Sequence, residues 1–379
     1  MKTHQLNIES KHRQMTGFLA SRNDFSCTDG GEIDPTVVVE NAQISLYCFD
    51  DIDKQAIFVE LPAEVDLTQE PFVYQAQYEN ARRLIAVPYE TFARLAKTLP
   101  EVREPIFVYI TGRSGSTLLS HVFNDSGVVV SFSEPDAATQ FLHLRHNRSG
   151  TSDSELRQLA DNTLRFLFKS HHANGVQAHA LKFRSEGLQV MDFFQEAFPQ
   201  AKNLFLYRDA IGWATSFYRL FKSDGMPEYP PISLWQDIFD TIFAVDFSYF
   251  RQYLDVGREQ ISIPEALTLW WIASMEWYLA QVDRGIPVLA VRYADIVRYR
   301  EEVLQSIFAY CELPVDRVEQ GLSAFDRDSQ AGTKLARENP TEGNTLTLNG
   351  EQLRSISEIL ERHPILNTSD FIAPGTLHI

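Results

Sequence analysis

The chain has 379 residues, of which 44 % are hydrophobic and 12 % aromatic, enough for one large domain or two modest ones. Its 34 basic and 51 acidic side chains give a formal net charge of −17, which argues against nucleic acid or an anionic membrane as partner. Three widely spaced cysteines form no metal or disulfide pattern, and the polar N-terminal stretch has no signal-peptide core. Because the most apolar helical stretch is too short to span a bilayer, we expect a soluble, cytoplasmic protein.

The first hundred residues form a region of their own. Residues 1–35 are polar and mixed, so we expect a loose start to the chain. From about 36 to 99 the sequence predicts four short strands (TVVVENAQISLYCF, QAIFVELP, FVYQAQY and RLIAVP) and then a helix (YETFARLAKTL) that ends before Pro100. The pattern indicates a small β-rich or α+β N-terminal appendage over residues 1–100, whose role the sequence leaves open.

From Pro105 onward, apolar runs alternate with amphipathic helical patterns. The predicted strands cover 106–111, 127–132, 178–183, 203–208 and 287–293. Runs that are apolar on both faces and separated by helices are typical of a buried parallel sheet. The sequence therefore predicts an α/β domain over residues 101–379, with a P-loop-type parallel β-sheet flanked by helices on both faces. The aromatic stretch at 225–262 is predicted to form helices and loops that wall a cleft.

The stretch YITGRSGSTLLSHV joins the first of these strands to a helix through a loop rich in glycine and hydroxyl residues. Backbone N–H groups at the start of a helix, together with the helix dipole, favour a bound anion. The candidate anion-binding residues are Gly112, Arg113, Ser114, Gly115, Ser116 and Thr117. The loop lacks the lysine of the ATPase signature, so it predicts a phosphate site of another kind, with an ordinary Gly/Ser turn as the alternative.

A second segment, NLFLYRDAIGWATSFYRLF, places Arg208 at the end of a predicted strand and Ser216 eight residues later in the following helix. The carboxyl ends of parallel strands form the edge where ligands bind in open α/β sheets. A guanidinium and a hydroxyl suit a second phosphate. Two separate phosphate sites predict a nucleotide that is phosphorylated at both ends of its ribose.

These motifs resemble those of a known family. TGRSGSTLL resembles the 5′-phosphosulfate loop of sulfotransferases, and RDAIGWATS resembles their 3′-phosphate motif. GIPVLAVRYADIVRYREEVLQSIFAYCELP is similar to a strand-and-helix stretch of the same family, and the resemblance covers about residues 105–335. It implies the donor 3′-phosphoadenosine 5′-phosphosulfate (PAPS), transfer of its sulfuryl group to a hydroxyl or amine, the product 3′-phosphoadenosine 5′-phosphate (PAP), and no metal.

The resemblance also implies roles for individual residues. The loop 112–117 would cradle the 5′-phosphosulfate, with Arg113 stabilising charge on the bridging oxygen. Arg208 and Ser216 would hold the 3′-phosphate. Lys182, in ALKFRSE, would lie beside the sulfuryl group, a solvated lysine at a strand end being the alternative.

The general base departs from the pattern of many relatives, which carry a histidine two residues after the strand-end lysine; this chain reads Lys182-Phe183-Arg184. Other branches carry a glutamate after the strand that follows the first helix, and VVVSFSEPDAATQF offers Glu134 there. We therefore predict Glu134 as the base, since a carboxylate in a water-poor cleft can have a raised pKa; a histidine is the alternative.

In the family a loop near the C-terminus closes over the 3′-phosphate and adenine. Here the corresponding loop reads FDRDSQAGTKLARENP, and a plain surface loop is the alternative. Its candidate contacts to the nucleotide are Ser329, Gln330, Lys334 and Arg337.

Three functions compete on this reading: a sulfotransferase, a P-loop small-molecule phosphotransferase, and a catalytically silent nucleotide-binding scaffold. The missing ATPase lysine argues against the second, and the intact loop, Arg208 and Ser216 argue against the third. Donor motifs do not specify the acceptor. The net charge predicts a small cationic or neutral metabolite or natural product rather than a polyanionic glycan, and the oligomeric state is left open.

Overall fold

The structure is a computed structural model and describes residues 2–13, 17–147, 152–172, 175–332 and 346–379. These residues form two five-stranded sheets, one antiparallel and one parallel. Within the described ranges, every helix is too short or too polar to cross a membrane.

The first sheet belongs to the N-terminal hundred residues and has the strand order β2-β1-β5-β4-β3, with every neighbouring pair antiparallel. Its elements are β1 (His4–Lys11), β2 (Phe25–Glu32), α1 (Val37–Glu40), β3 (Ile44–Asp50), β4 (Gln55–Glu60), α2 (Val73–Asn80), β5 (Arg83–Pro88) and α3 (Tyr89–Ala96).

Three expectations for this region were wrong. The start of the chain is not loose, because β1 and β2 pair along one edge of the sheet, where exposed side chains need not be apolar. The run at 36–49 begins as the short helix α1. The predicted strand FVYQAQY is the helix α2, whose buried side chains Val73, Tyr74, Ala76 and Gln77 have the spacing of a helical face.

The second sheet is parallel throughout and has the order β10-β9-β6-β8-β7. Its strands are β6 (Ile106–Ile110), β7 (Val129–Ser133), β8 (Ala178–Lys182), β9 (Lys202–Tyr207) and β10 (Leu289–Arg292). All five strands predicted for this half are confirmed, to within two residues at each end.

Helices cover both faces of the parallel sheet. They are α4 (Ser116–Asp125), α5 (Asp136–Thr139), α6 (Phe141–His146), α7 (Asp153–Leu167), α8 (Met191–Ala197), α9 (Ala210–Ser223), α10 (Ile232–Phe243), α11 (Ile263–Asp283), α12 (Tyr293–Arg298), α13 (Arg300–Tyr310), α14 (Val318–Gly321) and α15 (Gly350–Glu361). Short 3-10 helices lie at Arg22–Asp24, Ser185–Val190, Phe247–Tyr253, Val315–Arg317 and Leu322–Asp326.

The central strand β6 shows why its sequence is apolar at every position. Ile106 and Val108 pack into one core with α4 and α13, while Phe107 and Tyr109 point to the other face, into the core that contains α8 and α11. Alternate side chains of β6 thus enter different cores, so both faces of the strand are buried. The polar residues that usually alternate with apolar ones are therefore absent. The predicted α/β fold is confirmed.

The two sheets share the larger of these cores. Leu46, Phe58 and Val87 of the antiparallel sheet belong to the same buried cluster as Phe107. The rings of Phe92 and Phe166 stack at 4.6 Å between centroids, which joins α3 to α7. The N-terminal region is therefore packed onto the parallel-sheet region. The division of the chain into two domains near residue 100 remains a prediction.

Candidate functional site

The loop between β6 and α4 turns sharply. Gly112, Arg113 and Gly115 all have positive φ angles, of 84°, 52° and 82°, a region that glycine enters without steric cost. Gly115 is the N-cap of α4. The indole of Trp213 donates a hydrogen bond to the carbonyl of Thr111 (2.8 Å) and so fixes the start of the loop. The loop and the first turn of α4, whose N–H groups lack intrahelical acceptors, line a cavity of about 370 Å³.

Ser114 supports an anion in this loop. Among the described residues its Oγ is buried and has no hydrogen-bond partner. Buried hydroxyls are normally satisfied, so a ligand oxygen is a natural partner for this one. Ser116 and Thr117 lie beside it on the cavity wall.

Arg113 links the two sequence motifs directly. Its Nε donates to Ser216 Oγ at 2.8 Å, and its Nη1 donates to Gln330 Oε1 at 2.6 Å. Ser216 of α9 therefore faces the loop from 103 residues away in sequence. The structure brings the two motifs together as the sequence predicts.

Arg208 lies near Arg113 and the loop that contains it. Its guanidinium is 4.7 Å from the centre of the Tyr293 ring, and a Cβ on Gly115 would come within 3.1 Å of that ring. Burial is the main cause that lowers the pKa of Arg113 to about 10, and the positive charge of Arg208 adds to it. Two neighbouring cations, one of them poorly solvated, form a site that an anion would stabilise.

Lys182, the last residue of β8, is 1 % exposed and lies where the ends of three strands meet. Its ammonium donates to Thr117 Oγ1 and Ser133 Oγ, both at 3.0 Å, and forms an ion pair with Glu134 Oε1 at 2.8 Å. Burial lowers the pKa of Lys182, and the charge of Glu134 opposes that shift. Lys182 is thus a buried cation aimed at the loop, rather than a solvated lysine.

Glu134 directly follows β7 in an uncommon backbone conformation, with φ of 58°. Its N–H donates to the carbonyl of Lys182 at 2.8 Å, which extends the pairing of β7 and β8 by one step. Non-glycine residues in this region are often held there at functional sites. The backbone therefore points the carboxylate back at the lysine, inside the cavity.

A buried ion cluster beside this pair was missed by the sequence analysis. Arg184 makes a bidentate contact to Asp136, with Nε and Nη2 at 2.7 and 2.9 Å from its two carboxylate oxygens. Asp136 is fully buried and also accepts from Arg13 (3.0 Å) and from the N–H of Ala20 (2.6 Å). Arg184 stands in the quoted stretch ALKFRSE, but nothing local in the sequence marks Asp136 as its partner.

Glu186 is a second carboxyl group on the cavity wall, and it was also missed. Burial raises its pKa to about 7, and the positive charge of Arg184 opposes that shift. In the described structure its Oε1 is buried without a hydrogen-bond partner, while Ser185 Oγ donates to Oε2 at 3.2 Å.

Replacing Glu186 by glutamine should make stability less dependent on pH. The pKa of Glu186 in the folded state, about 7, lies above its ordinary value of 4.5. Glu186 therefore makes its full contribution to the stability of the fold below pH 4.5, and this contribution is lost as the pH rises through 7. Compared with the parent, Glu186→Gln should be more stable by about 3 kcal/mol near pH 8, with the difference vanishing toward about pH 4. Thermal unfolding across this range, with the exposed Glu319→Gln as control, measures the effect. A difference that does not change with pH would contradict the account.

The far end of the cavity is apolar. The stretch 225–262, predicted to wall a cleft, contributes Ile238, Ile242 and Phe243 to the cavity. Its residues Trp235, Phe239 and Phe247 are buried in the core instead. The apolar side chains that line this end of the cavity are Phe72, Tyr74, Phe217, Leu220, Phe221, Ile238, Ile242, Phe243 and Trp270.

The C-terminal loop reaches the same cavity. Ser329 and Gln330 line it, and His121 Nε2 lies 3.3 Å from the carbonyl of Ser329. Lys334 and Arg337 lie outside the described residues. Sequence reasoning missed Tyr293, whose ring lies close to both Arg208 and Gly115, although it stands in the quoted stretch that begins at Gly285.

Comparisons with known proteins place solved sulfotransferases among the similar structures. A mouse sulfotransferase complexed with PAP is 12% identical, with 71% of this chain and 88% of that chain covered and a TM-score of 0.38. A sulfotransferase domain from the Synechococcus PCC 7002 olefin synthase is 18% identical over 69% of this chain and 95% of that chain, with a TM-score of 0.40. A Mycobacterium avium sulfotransferase is 14% identical over 71% and 79%, with a TM-score of 0.38.

Neither protein-family models nor curated proteins gave a match to the chain. At these identities and TM-scores, no residue-level role is carried from the solved structures to this chain.

Proposed function

We propose that this protein is a sulfotransferase that moves the sulfuryl group of PAPS to a hydroxyl or amine of a small molecule. The observation that carries the proposal is the 2.8 Å contact between Arg113 of the loop and Ser216 of α9, with Arg208 beside them. The proposed 5′ site at the start of α4 and the proposed 3′ site at Arg208 and Ser216 are thus neighbours. This arrangement would suit one nucleotide with a phosphate at each end of its ribose.

The residues present fit the donor. The start of α4 with the unpartnered hydroxyl of Ser114 would hold the 5′-phosphosulfate, because helix N-termini stabilise anions. Arg208 and Ser216 would hold the 3′-phosphate, because a guanidinium and a hydroxyl together supply charge-assisted hydrogen bonds. Ser329, Gln330, Lys334 and Arg337 are proposed as further contacts from the C-terminal loop.

Sulfuryl transfer needs positioning of the reactants and stabilisation of charge on the departing oxygen. The acceptor oxygen or nitrogen forms a bond to sulfur while the bond from sulfur to the bridging phosphate oxygen breaks. The electron pair of the broken bond stays on the 5′-phosphate of PAP, where Arg113 and Lys182 supply positive charge. The acceptor proton passes to the carboxylate of Glu134.

The Lys182–Glu134 ion pair couples these two ends of the reaction. Once Glu134 has taken the proton, its negative charge is lost and the attraction that holds Lys182 weakens. The buried ammonium is then available to the departing oxygen, and burial makes each of its hydrogen bonds electrostatically stronger. No metal is needed for either role.

The lining of the cavity argues for a small acceptor with an apolar body, since aromatic and aliphatic side chains dominate its far end. At the reacting end the cations Arg113, Lys182 and Arg184 face the carboxylates of Glu134 and Glu186. We also propose that the acceptor carries a cationic group. This group would bind near Glu186, or near Asp224 at the exposed rim of the cavity.

The proposal is tested by a thermal-shift titration with PAP and, separately, with ATP in the presence and absence of Mg²⁺. A ligand that binds only the native state raises the melting temperature, by an amount equivalent to about 2.7 kcal/mol at a hundredfold excess over its Kd. We expect PAP to raise the melting temperature and ATP, with or without Mg²⁺, to leave it unchanged. A shift with ATP and Mg²⁺ but none with PAP would instead indicate a phosphotransferase.

Acceptors are then screened with PAPS carrying a labelled sulfuryl group. The panel contains neutral apolar alcohols and phenols, apolar amines that are cationic, and a sulfated glycan. Label transfer to a small molecule is the expected result. Binding of PAP without transfer to any member would support the silent scaffold, and transfer to the glycan alone would contradict a small-molecule acceptor.

A further inference from the structure

The N-terminal region reaches the cavity at Gly17 and through the segment 71–75 at the start of α2. Phe72, Tyr74 and Gln75 of this segment line the cavity together with aromatic side chains of α9 and α11. The rings of Phe72 and Tyr74 stack on each other, with centroids 5.7 Å apart and planes at 30°. The N-terminal region therefore supplies part of the cavity wall, and no donor-binding motif contains these residues.

Both rings face cations of the site. The ammonium of Lys182 lies 5.4 Å from the centre of the Phe72 ring, and the Arg184 guanidinium lies 3.8 Å from that of Tyr74. Arg13 also contacts Tyr74, with its guanidinium 5.1 Å from the centre of the ring. A cation over an aromatic face is attracted to the ring, and more strongly where water is excluded.

The segment is also hydrogen-bonded to the residues that hold Lys182. Ser133 Oγ donates to the carbonyl of Pro71 at 2.6 Å and accepts from Lys182 Nζ at 3.0 Å. The orientation of the Ser133 hydroxyl, and hence its ability to accept from the lysine, is set by the N-terminal backbone. The Phe72 ring and the Ser133 hydroxyl, which is bonded to Pro71, thus both contact the same ammonium.

We propose that residues 71–75 are an integral wall of the active site and that Phe72 is a positioning residue for Lys182. This inference rests on the proposed function, in which Lys182 faces the sulfuryl group. Phe72 holds the ammonium at its place between Thr117, Ser133 and Glu134, and the half-exposed ring at the same time faces the space left for the acceptor. The N-terminal hundred residues then belong to the catalytic unit instead of forming a separate interaction module.

The test compares two ligands that differ by the sulfuryl group alone. Equilibrium Kd values for PAPS and PAP are measured without acceptor for the parent, Phe72→Leu and Phe72→Tyr. Phe72→Leu should weaken PAPS binding by roughly three- to tenfold, while PAP binding changes by less than about twofold. Phe72→Tyr keeps an aromatic ring over the ammonium and should bind PAPS as tightly as the parent.

A matched control is available in Tyr299→Leu. Tyr299 is also partly buried under a cation, Arg298 at 5.0 Å, but it does not line the cavity. The substitution Tyr299→Leu should leave both Kd values unchanged. The inference is overturned if Phe72→Leu changes PAPS and PAP binding equally or changes neither. If the parent binds neither nucleotide, the proposed function itself fails, which is a different outcome.

Discussion

Replacement of Lys182 by methionine is expected to lower kcat by roughly 100- to 1000-fold, the effect of removing one preorganised donor from a site of developing charge. Methionine keeps the length and the apolar stem of the side chain but donates no hydrogen bond. The ammonium that contacts Thr117, Ser133 and Glu134 is lost, and with it the charge next to the departing oxygen. The rate is measured with labelled PAPS and an acceptor from the screen.

Two controls separate this effect from damage to the fold. Lys202→Met removes a lysine from the start of β9, at the opposite edge of the sheet, where it pairs with exposed Glu312, and should leave kcat unchanged. PAP affinity should fall far less than kcat in Lys182→Met, because the loop 112–117, Arg208 and Ser216 remain to hold the two phosphates. A kcat within about threefold of the parent, with PAPS bound, would remove Lys182 from the chemistry.

Replacement of Glu134 by glutamine is expected to lower kcat/KM by roughly 100- to 10,000-fold for an alcohol acceptor, since general bases contribute about this much. Glutamine keeps the size of the side chain and can still accept a hydrogen bond from Lys182. It cannot take the acceptor proton. PAP binding should change little.

The loss in Glu134→Gln should depend on the acidity of the acceptor. A phenol that is already ionised at the assay pH has no proton to give, so its turnover should be affected far less than that of an alcohol. An equal loss for both acceptors would mean that Glu134 acts through the position of Lys182 and not as a base. Full activity with the alcohol would move the role to another group, such as Glu186 of the same cavity.

The parallel sheet was predictable because its signal is local. Each strand is a short run of apolar residues on both faces, and the packing of β6 into two separate cores is the physical cause. The N-terminal strands β1 and β2 carry no such signal, because β2 lies at the edge of its sheet and at least half of the side chains in each strand are exposed. In α2 the β-branched and aromatic residues favoured a strand, and burial of one helical face outweighed that local preference.

The donor-binding part of the site was predictable for a similar reason. A loop that opens a helix and an arginine at a strand end are each set by adjacent residues, and parallel strands carry both to one edge of the sheet. The contacts of Arg184 with Asp136, and of Lys182 with Phe72, join residues that are 48 and 110 positions apart in the chain. Such pairings depend on how distant parts of the chain pack together, so no short sequence motif predicts them.

The claim on which the account depends is that two anion pockets hold opposite ends of one nucleotide. Calorimetric titration of the parent and of Arg208→Met with PAP and with adenosine 5′-phosphate tests it most directly. The account predicts that PAP binds the parent roughly 10- to 100-fold more tightly than adenosine 5′-phosphate, as expected for charged hydrogen bonds, and that Arg208→Met removes most of this advantage. Equal affinity of the parent for the two nucleotides, or an equal loss for both in Arg208→Met, would contradict it.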